Sequence, residues 1–171
     1  MVKKYILTGG PCTGKSTMLQ VLGNEGYQII PEAARLIIED EQLKKSKCLP
    51  WIDREKFQKA VLKKQLDLEK RLKDSPEAFL DRGIPDGLAY YKLDEIIPPI
   101  ELINLAKNNR YIGIFLMQRL HHYQCDLIRK ENYETAQKIQ KYIKETYEEL
   151  GYEVIEIPPL TIEERKGLIK K

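Results

Sequence analysis

The sequence predicts an α/β chain, a parallel sheet covered by helices on both faces. Two observations carry this. Short apolar segments of strand length alternate with longer amphipathic segments along the chain. A glycine-rich loop sits between the first apolar segment and the first helical one. No repeat, low-complexity segment or long linker divides the sequence, so residues 1–171 read as one domain.

The elements follow in order. Residues 3–8 form a short apolar strand. Met18, Leu19 and Leu22 recur at helical spacing over 16–25. "YQIIPE" (27–32) is the second strand, and 32–45 a helix. The helix over 54–73 carries Phe57, Val61, Leu68 and Leu72 on one stripe. Residues 78–82 are the third strand, followed by helices at 86–93 and 99–108. The fourth strand, 111–118, runs into a polar segment. The last long helix, 133–150, aligns Ile139, Ile143, Tyr147 and Leu150, and Gly151 stops it. The fifth strand is 152–158, and the basic end "ERKGLIKK" reads as a solvated tail.

The bulk composition excludes several classes. With 29 basic and 26 acidic residues, the net charge of +3 is too balanced to argue for nucleic acid by itself and gives no strong nucleic-acid signal. No apolar run approaches the ~20 residues of a membrane span. The N-terminus lacks a signal-peptide layout, its apolar stretch running straight into the glycine loop. Three widely spaced cysteines, Cys12, Cys48 and Cys125, argue against a disulfide framework and for a reducing, cytoplasmic setting.

The loop carries the chemistry. Gly9 to Ser16, "GGPCTGKS", fits G-x-x-x-x-G-K-[ST] at every fixed position. Gly9, Gly10 and Gly14 allow tight bending and close approach to phosphate oxygens. The N–H groups of Pro11's neighbours, Cys12 and Thr13 among them, then form an anion nest, backed by the start of the next helix. Lys15 reaches the β and γ phosphates, Ser16 ligates Mg²⁺, and Thr17 continues the site. ATP is the expected nucleotide, with GTP the alternative, and Mg²⁺ the expected metal.

In an open parallel sheet, ligands sit at the carboxyl ends of the strands. Asp81 ends the third strand and is the candidate metal carboxylate. Arg82 beside it suits a phosphate or substrate contact. Asp86 is either a substrate contact or the cap of its own helix. Glu32 ends the second strand, with Arg35 one turn on. It reads as a base for a substrate hydroxyl or as an acid favouring its helix start. Gln65 interrupts an apolar stripe and so contacts substrate or is satisfied in the core. The segment "QRLHHYQCDLIRKEN" (118–132) carries Arg119, Arg129 and Lys130, and reads as a basic lid or as a solvated loop. His121, His122 and Cys125 match no zinc spacing.

"TGGPCTGKST", "PEAAR", "FLDRGIPDGLAYY", "YQCDLIRKE" and "YEELGYEVIEIP" together resemble the predicted ATPase/kinase family related to the ribosylnicotinamide kinase domain of NAD metabolism. The resemblance spans nearly the whole chain. It implies a P-loop NTPase fold of kinase type, with a five-stranded sheet in the order 2-3-1-4-5, and places the Asp81 strand beside the Gly9 strand. It also implies an arginine-bearing lid about residues 119–132, matched by Arg129 and Arg119. The acid-arginine pair and Glu32 are similar to motifs of deoxynucleoside kinases, where the first acid serves the metal and the strand-2 glutamate is the base.

The leading expectation is an ATP-dependent small-molecule kinase acting on the hydroxyl of a nucleoside- or riboside-like acceptor. Glu32, Arg35, Arg82 and Tyr90 would line the acceptor site, and Lys15, Asp81 and Arg129 would assist transfer. A nucleoside monophosphate kinase is one alternative, with Arg35 and Arg82 on the acceptor phosphate. A nucleotide-dependent switch with a protein or lipid partner is another. The sequence has no guanine-reading N/T-K-x-D, no L-S-G-G-Q and no C-terminal helical domain of a motor. It does not fix the oligomeric state.

Overall fold

The computed structural model describes residues 2–44, 48–72, 76–120 and 133–170. Its centre is a five-stranded sheet in the order β2-β3-β1-β4-β5. The strands are β1 (Lys3–Thr8), β2 (Gln28–Ile30), β3 (Glu77–Asp81), β4 (Gly113–Met117) and β5 (Val154–Ile157). Every pairing is parallel, and Leu7 lies opposite Asp81. Both the strand order and the neighbouring Asp81 and Gly9 strands are as the resemblance implies.

Alternation along the strands sends side chains to two cores. On one face Ile6, Leu80, Ile114 and Leu116 pack with Ile139, Ile143 and Tyr147 of α6 (Tyr133–Glu149) and Ala89 of α4 (Ile84–Leu93). On the other, Leu7, Phe79, Phe115, Met117 and Ile157 pack with Met18, Leu19 and Leu22 of α1 (Lys15–Asn24) and Ile169 of α7 (Ile162–Ile169). The helix pair α2 (Ala33–Leu43) and α3 (Arg54–Lys70) lies beyond β2 and β3, and α5 (Ile100–Asn108) packs on α4.

Local signals explain the element ends. Asp53 caps α3 by accepting from the Lys56 N–H at 2.9 Å. Gly151, at φ 78°, turns the chain out of α6 into β5. The helix expected at 86–93 starts two residues earlier, because Pro85 suits a first turn and Asp86 accepts from the Gly83 N–H at 2.9 Å.

Two expectations are corrected. The basic end is not a solvated tail. It forms α7, opened by a capping box in which Thr161 and Glu164 exchange hydrogen bonds, and Ile169 and Arg165 are buried. Among the cysteines, Cys48 is a free, buried thiol, but Cys12 is disulfide-bonded. Among the described residues no helix is long and apolar enough to cross a membrane.

Candidate active site

The glycine loop leaves β1 at the C-terminal edge of the sheet and enters α1 at Lys15. Gly9 has φ 132°, and a Cβ there would lie 2.6 Å from the Met117 carbonyl oxygen, so a side chain fits neither the conformation nor the space. Gly14, at φ 77°, makes the turn into the helix. Lys15 curls back over the loop it serves. Its Nζ donates to the carbonyls of Gly9 at 3.0 Å and Gly10 at 2.8 Å and to Thr13 Oγ1 at 3.1 Å. Pro11 is buried, Cys12 adopts φ 59°, and Thr17 is half-buried in the first turn of α1.

Ser16 is exposed at the start of α1, and its Oγ lies 3.4 Å from Asp81 Oδ2. A hydroxyl and a carboxylate oxygen thus converge beside the loop. Hard oxygen donors of this kind are what Mg²⁺ takes, so these residues fit the metal. Among the described residues no group of three or more His, Cys, Asp or Glu is placed to hold a metal. His121, His122 and Cys125 lie outside the described residues, as do Arg129 and Lys130 of the expected lid.

At the next residue the chain turns. Arg82 takes φ 72°, and its side chain points away from the loop into a cavity between α2, α3 and α4. The cavity holds about 100 Å³. Glu32, Gln65, Arg82, Asp86 and Tyr90 all line it, with an apolar wall from Phe57, Val61 and Leu62. Arg35 is half-buried on the first turn of α2 and is not part of this lining.

The cavity floor is an ionic cluster. Arg82 Nε donates to Glu32 Oε1 at 2.9 Å, and its Nη1 to Asp86 Oδ1 at 3.1 Å. Arg82 Nη2 has no hydrogen-bond partner. The guanidinium also lies 5.4 Å from the Tyr90 ring centroid. Burial disfavours the charge on Arg82, but Tyr90, Glu32, Asp86 and Asp81 outweigh it and hold the pKa well above the usual guanidinium value.

Asp86 is saturated from within the chain. Its carboxylate accepts from Thr8 Oγ1, Arg82 Nη1, the Gly83 N–H and Tyr147 Oη. Asp86 is therefore a buried hub tying β1, α4 and α6, and it borders the cavity with its carboxylate engaged from within the chain. It sits at the third position of α4, not at the cap. Gln65 is satisfied in part, its amide donating to Glu69 Oε1 at 2.9 Å while it borders the cavity. Glu32 is the N-cap residue of α2 but makes no side-chain cap bond, its carboxylate turning to Arg82 instead.

A second, wider cavity of about 620 Å³ lies on the other side of the loop. Arg119 lines it together with Gly10, Pro11 and Thr13, and stacks 4.9 Å from the Tyr133 ring. Two residues at the loop escaped sequence reasoning. Gln140 of α6 accepts from the Gly10 N–H at 2.6 Å and donates to the Met117 carbonyl at 3.2 Å. Arg165 of α7 donates to the Thr13 carbonyl. The Thr-x-x-Glu capping box of α7 is the local signal that marks this helix. For Gln140 no local signal exists, since its partners are distant in sequence.

Comparisons with known proteins agree with this geometry. A family model described as an AAA domain matches residues 4–165. No curated protein sequence matches the chain. Among solved structures, deoxyadenosine kinase from M. mycoides with dCMP and dCDP superposes with a TM-score of 0.66 at 16% identity, over 98% of this chain and 96% of that one. Thymidylate kinase from Candida albicans gives 0.65 at 16% identity, over 99% and 89%. NadR protein in complex with NR gives 0.68 at 19% identity, over 99% of this chain but 48% of that one, so this chain spans about half of NadR. These likenesses establish the kinase-type P-loop fold. With the family model covering nearly all of the sequence, from β1 through the loop to Arg165, the chain belongs to that AAA domain family.

Proposed function

We propose that the chain is an ATP-dependent phosphotransferase acting on a hydroxyl of a nucleoside- or riboside-like acceptor. One observation carries the reading. Consecutive residues at the end of β3 serve two compartments, Asp81 facing the Ser16 hydroxyl and Arg82 the neighbouring cavity. A donor corner and an acceptor cavity side by side are what group transfer between two small molecules needs. The fold neighbours include kinases named for deoxyadenosine and thymidylate, and a structure holding NR.

In this reading the triphosphate lies along 9–17, with Lys15 on the β and γ oxygens and Arg119 on the flank. Mg²⁺ held by Ser16 and Asp81 would neutralise charge on the phosphates. The acceptor hydroxyl gives its proton to Glu32, whose carboxylate Arg82 keeps oriented. The acceptor oxygen bonds to the γ phosphorus as the bond to the β–γ bridging oxygen breaks, and ADP leaves with that electron pair. Arg129, from the lid segment, would add charge to the transferring group, while Gln65 and Tyr90 shape the cavity and Arg35 its approach.

The cavity floor favours a neutral acceptor over a nucleoside monophosphate. Arg82 stands between two carboxylates, so the trio is net negative, and Arg54 at the rim is paired with Asp94 at 3.1 Å. A phosphate entering there meets repulsion. Arg82 Nη2 remains as one donor for an acceptor oxygen.

The test is a coupled ADP assay over ribosides, deoxynucleosides, nucleoside monophosphates and vitamin alcohols. A hydroxyl acceptor without phosphate should stimulate ADP release strongly above the rate with ATP alone. Glu32→Gln should then cut turnover by roughly 10²–10⁴-fold at unchanged ATP affinity, the scale of losing a general base. If ATP hydrolysis responds to no small molecule but to a protein or lipid partner, the switch reading replaces this one.

A further inference from the structure

The last helix carries a buried charge that no carboxylate among the described residues balances. α7 packs Ile169 into the core beneath α1 and carries half-buried Lys166 and exposed Lys170, which both pair with Glu25 at 2.9 Å. Carboxylates are thus within reach of this helix. Arg165 has none: it is 3% exposed, and no carboxylate among the described residues forms an ion pair with it. Buried arginines are otherwise almost always paired. Its Nη2 donates to the Thr13 carbonyl, and its Nε has no hydrogen-bond partner. A Cβ added to Gly14 would lie 2.9 Å from Nη1, so the guanidinium sits close against the Thr13–Gly14 segment that leads into Lys15. Burial lowers its pKa, the mark of a cation held at a cost.

We infer that Arg165 is a second cationic element of the phosphate site, a positioning residue seated behind the loop whose charge is balanced only when a nucleoside polyphosphate is bound. It acts through two routes. The bond to the Thr13 carbonyl fixes the crest of the loop, where the N–H groups must face the anion. The guanidinium charge also adds to the positive potential of Lys15 and the start of α1, in surroundings that screen it poorly. The polyphosphate supplies the counter-ion that the described residues do not provide. Nucleotide binding and the seating of α7 against α1 are therefore linked: the bound protein has a better-satisfied Arg165 than the free one. This rests on the nucleotide reading of the loop and adds a residue from the far end of the chain to it.

The experiment compares the parent chain with Arg165→Met, Arg165→Gln and Arg165→Lys. ATP and ADP affinities are measured by calorimetry at two salt concentrations, and unfolding midpoints without nucleotide by scanning fluorimetry. Arg165→Met should weaken ATP and ADP by roughly 10- to 100-fold, the order of one poorly screened unit charge. Its nucleotide-free midpoint should equal or exceed that of the parent, since a buried unpaired cation is gone. Arg165→Gln, which keeps a donor for Thr13 but no charge, should weaken ATP nearly as much. Arg165→Lys should stay closer to the parent and keep its salt dependence. ATP affinity within twofold of the parent in the Gln variant overturns the inference, whatever the midpoint. So does a lower nucleotide-free midpoint with unchanged affinity, which marks a purely structural arginine. If the parent itself fails to bind ATP, the nucleotide reading falls and the inference with it. If the parent binds and the variants match it, only the inference falls.

Discussion

Removing the guanidinium at the cavity floor is the most direct probe of the cluster. In Arg82→Ala two carboxylates lose a cation while 8% and 4% exposed respectively, Glu32 and Asp86. Breaking a buried pair from one side costs about 3–5 kcal/mol, because the remaining charge is left in a poor solvent. Two features pull the figure to the lower end. Asp86 keeps its bonds from Thr8, the Gly83 N–H and Tyr147. Glu32 borders a cavity that water can enter. A loss of about 3 kcal/mol follows, and at ~2–4 °C per kcal/mol for a chain this long the midpoint should fall by roughly 6–12 °C. Urea unfolding at pH 7, monitored by circular dichroism and intrinsic fluorescence, gives the free energy directly. Adding Glu32→Gln to Arg82→Ala should recover part of the loss, because the two sites are coupled. A loss below about 1 kcal/mol, the scale of an exposed ion pair, would refute the reasoning.

Three further outcomes are expected. Asp81→Asn should raise the Mg²⁺ concentration needed for activity while leaving metal-free ATP binding nearly intact, as followed by calorimetry with and without EDTA; an unmoved Mg²⁺ dependence makes Asp81 a structural acid. Lys15→Ala should weaken ATP and ADP far more than adenosine, since its ammonium is a point charge for β and γ oxygens; equal affinities of parent and variant refute the role. Burial, followed by the charge of Asp86, holds the Tyr147 phenol well above its ordinary pKa of 10. Its stabilising effect is therefore full below about pH 10 and lost as pH rises toward the folded value, the unfolded phenol releasing its proton first. Tyr147→Phe should be about 1–2 kcal/mol less stable at pH 7 for the lost bond to Asp86, yet lose less stability from pH 9 to 11 than the parent; parallel pH curves argue against this.

The sheet was legible because its signals are local. Ile6-Leu7, Phe79-Leu80 and Leu116-Met117 are apolar pairs that serve both faces, and the loop after β1 is a fixed motif. Glu32 and Arg82 were legible as strand-end residues, and the structure brings them within 2.9 Å. Asp86 was not, because its role depends on Thr8 and Tyr147, 78 and 61 residues away in sequence. No spacing rule reaches such partners. α7 was hidden for a different reason. It is eight residues long, and its acidic and basic side chains outnumber any apolar stripe that would mark an inner face, while Arg165 is turned inward by tertiary packing alone. Arg129 lies outside the described residues, so the lid stays an expectation of the sequence.

One element, α3, gives the cavity beside Arg82 its apolar wall and more of its lining than any other. Phe57, Gln58, Val61, Leu62 and Gln65 are successive positions on the inner face of α3, whereas the phosphate corner is assembled from strand ends and the start of α1. If the cavity takes the acceptor as proposed, changes confined to that one helix would retune which molecule enters while leaving the loop and the strand ends untouched. The same division offers a route for the laboratory: a library confined to those five codons would explore new acceptors on an unaltered engine.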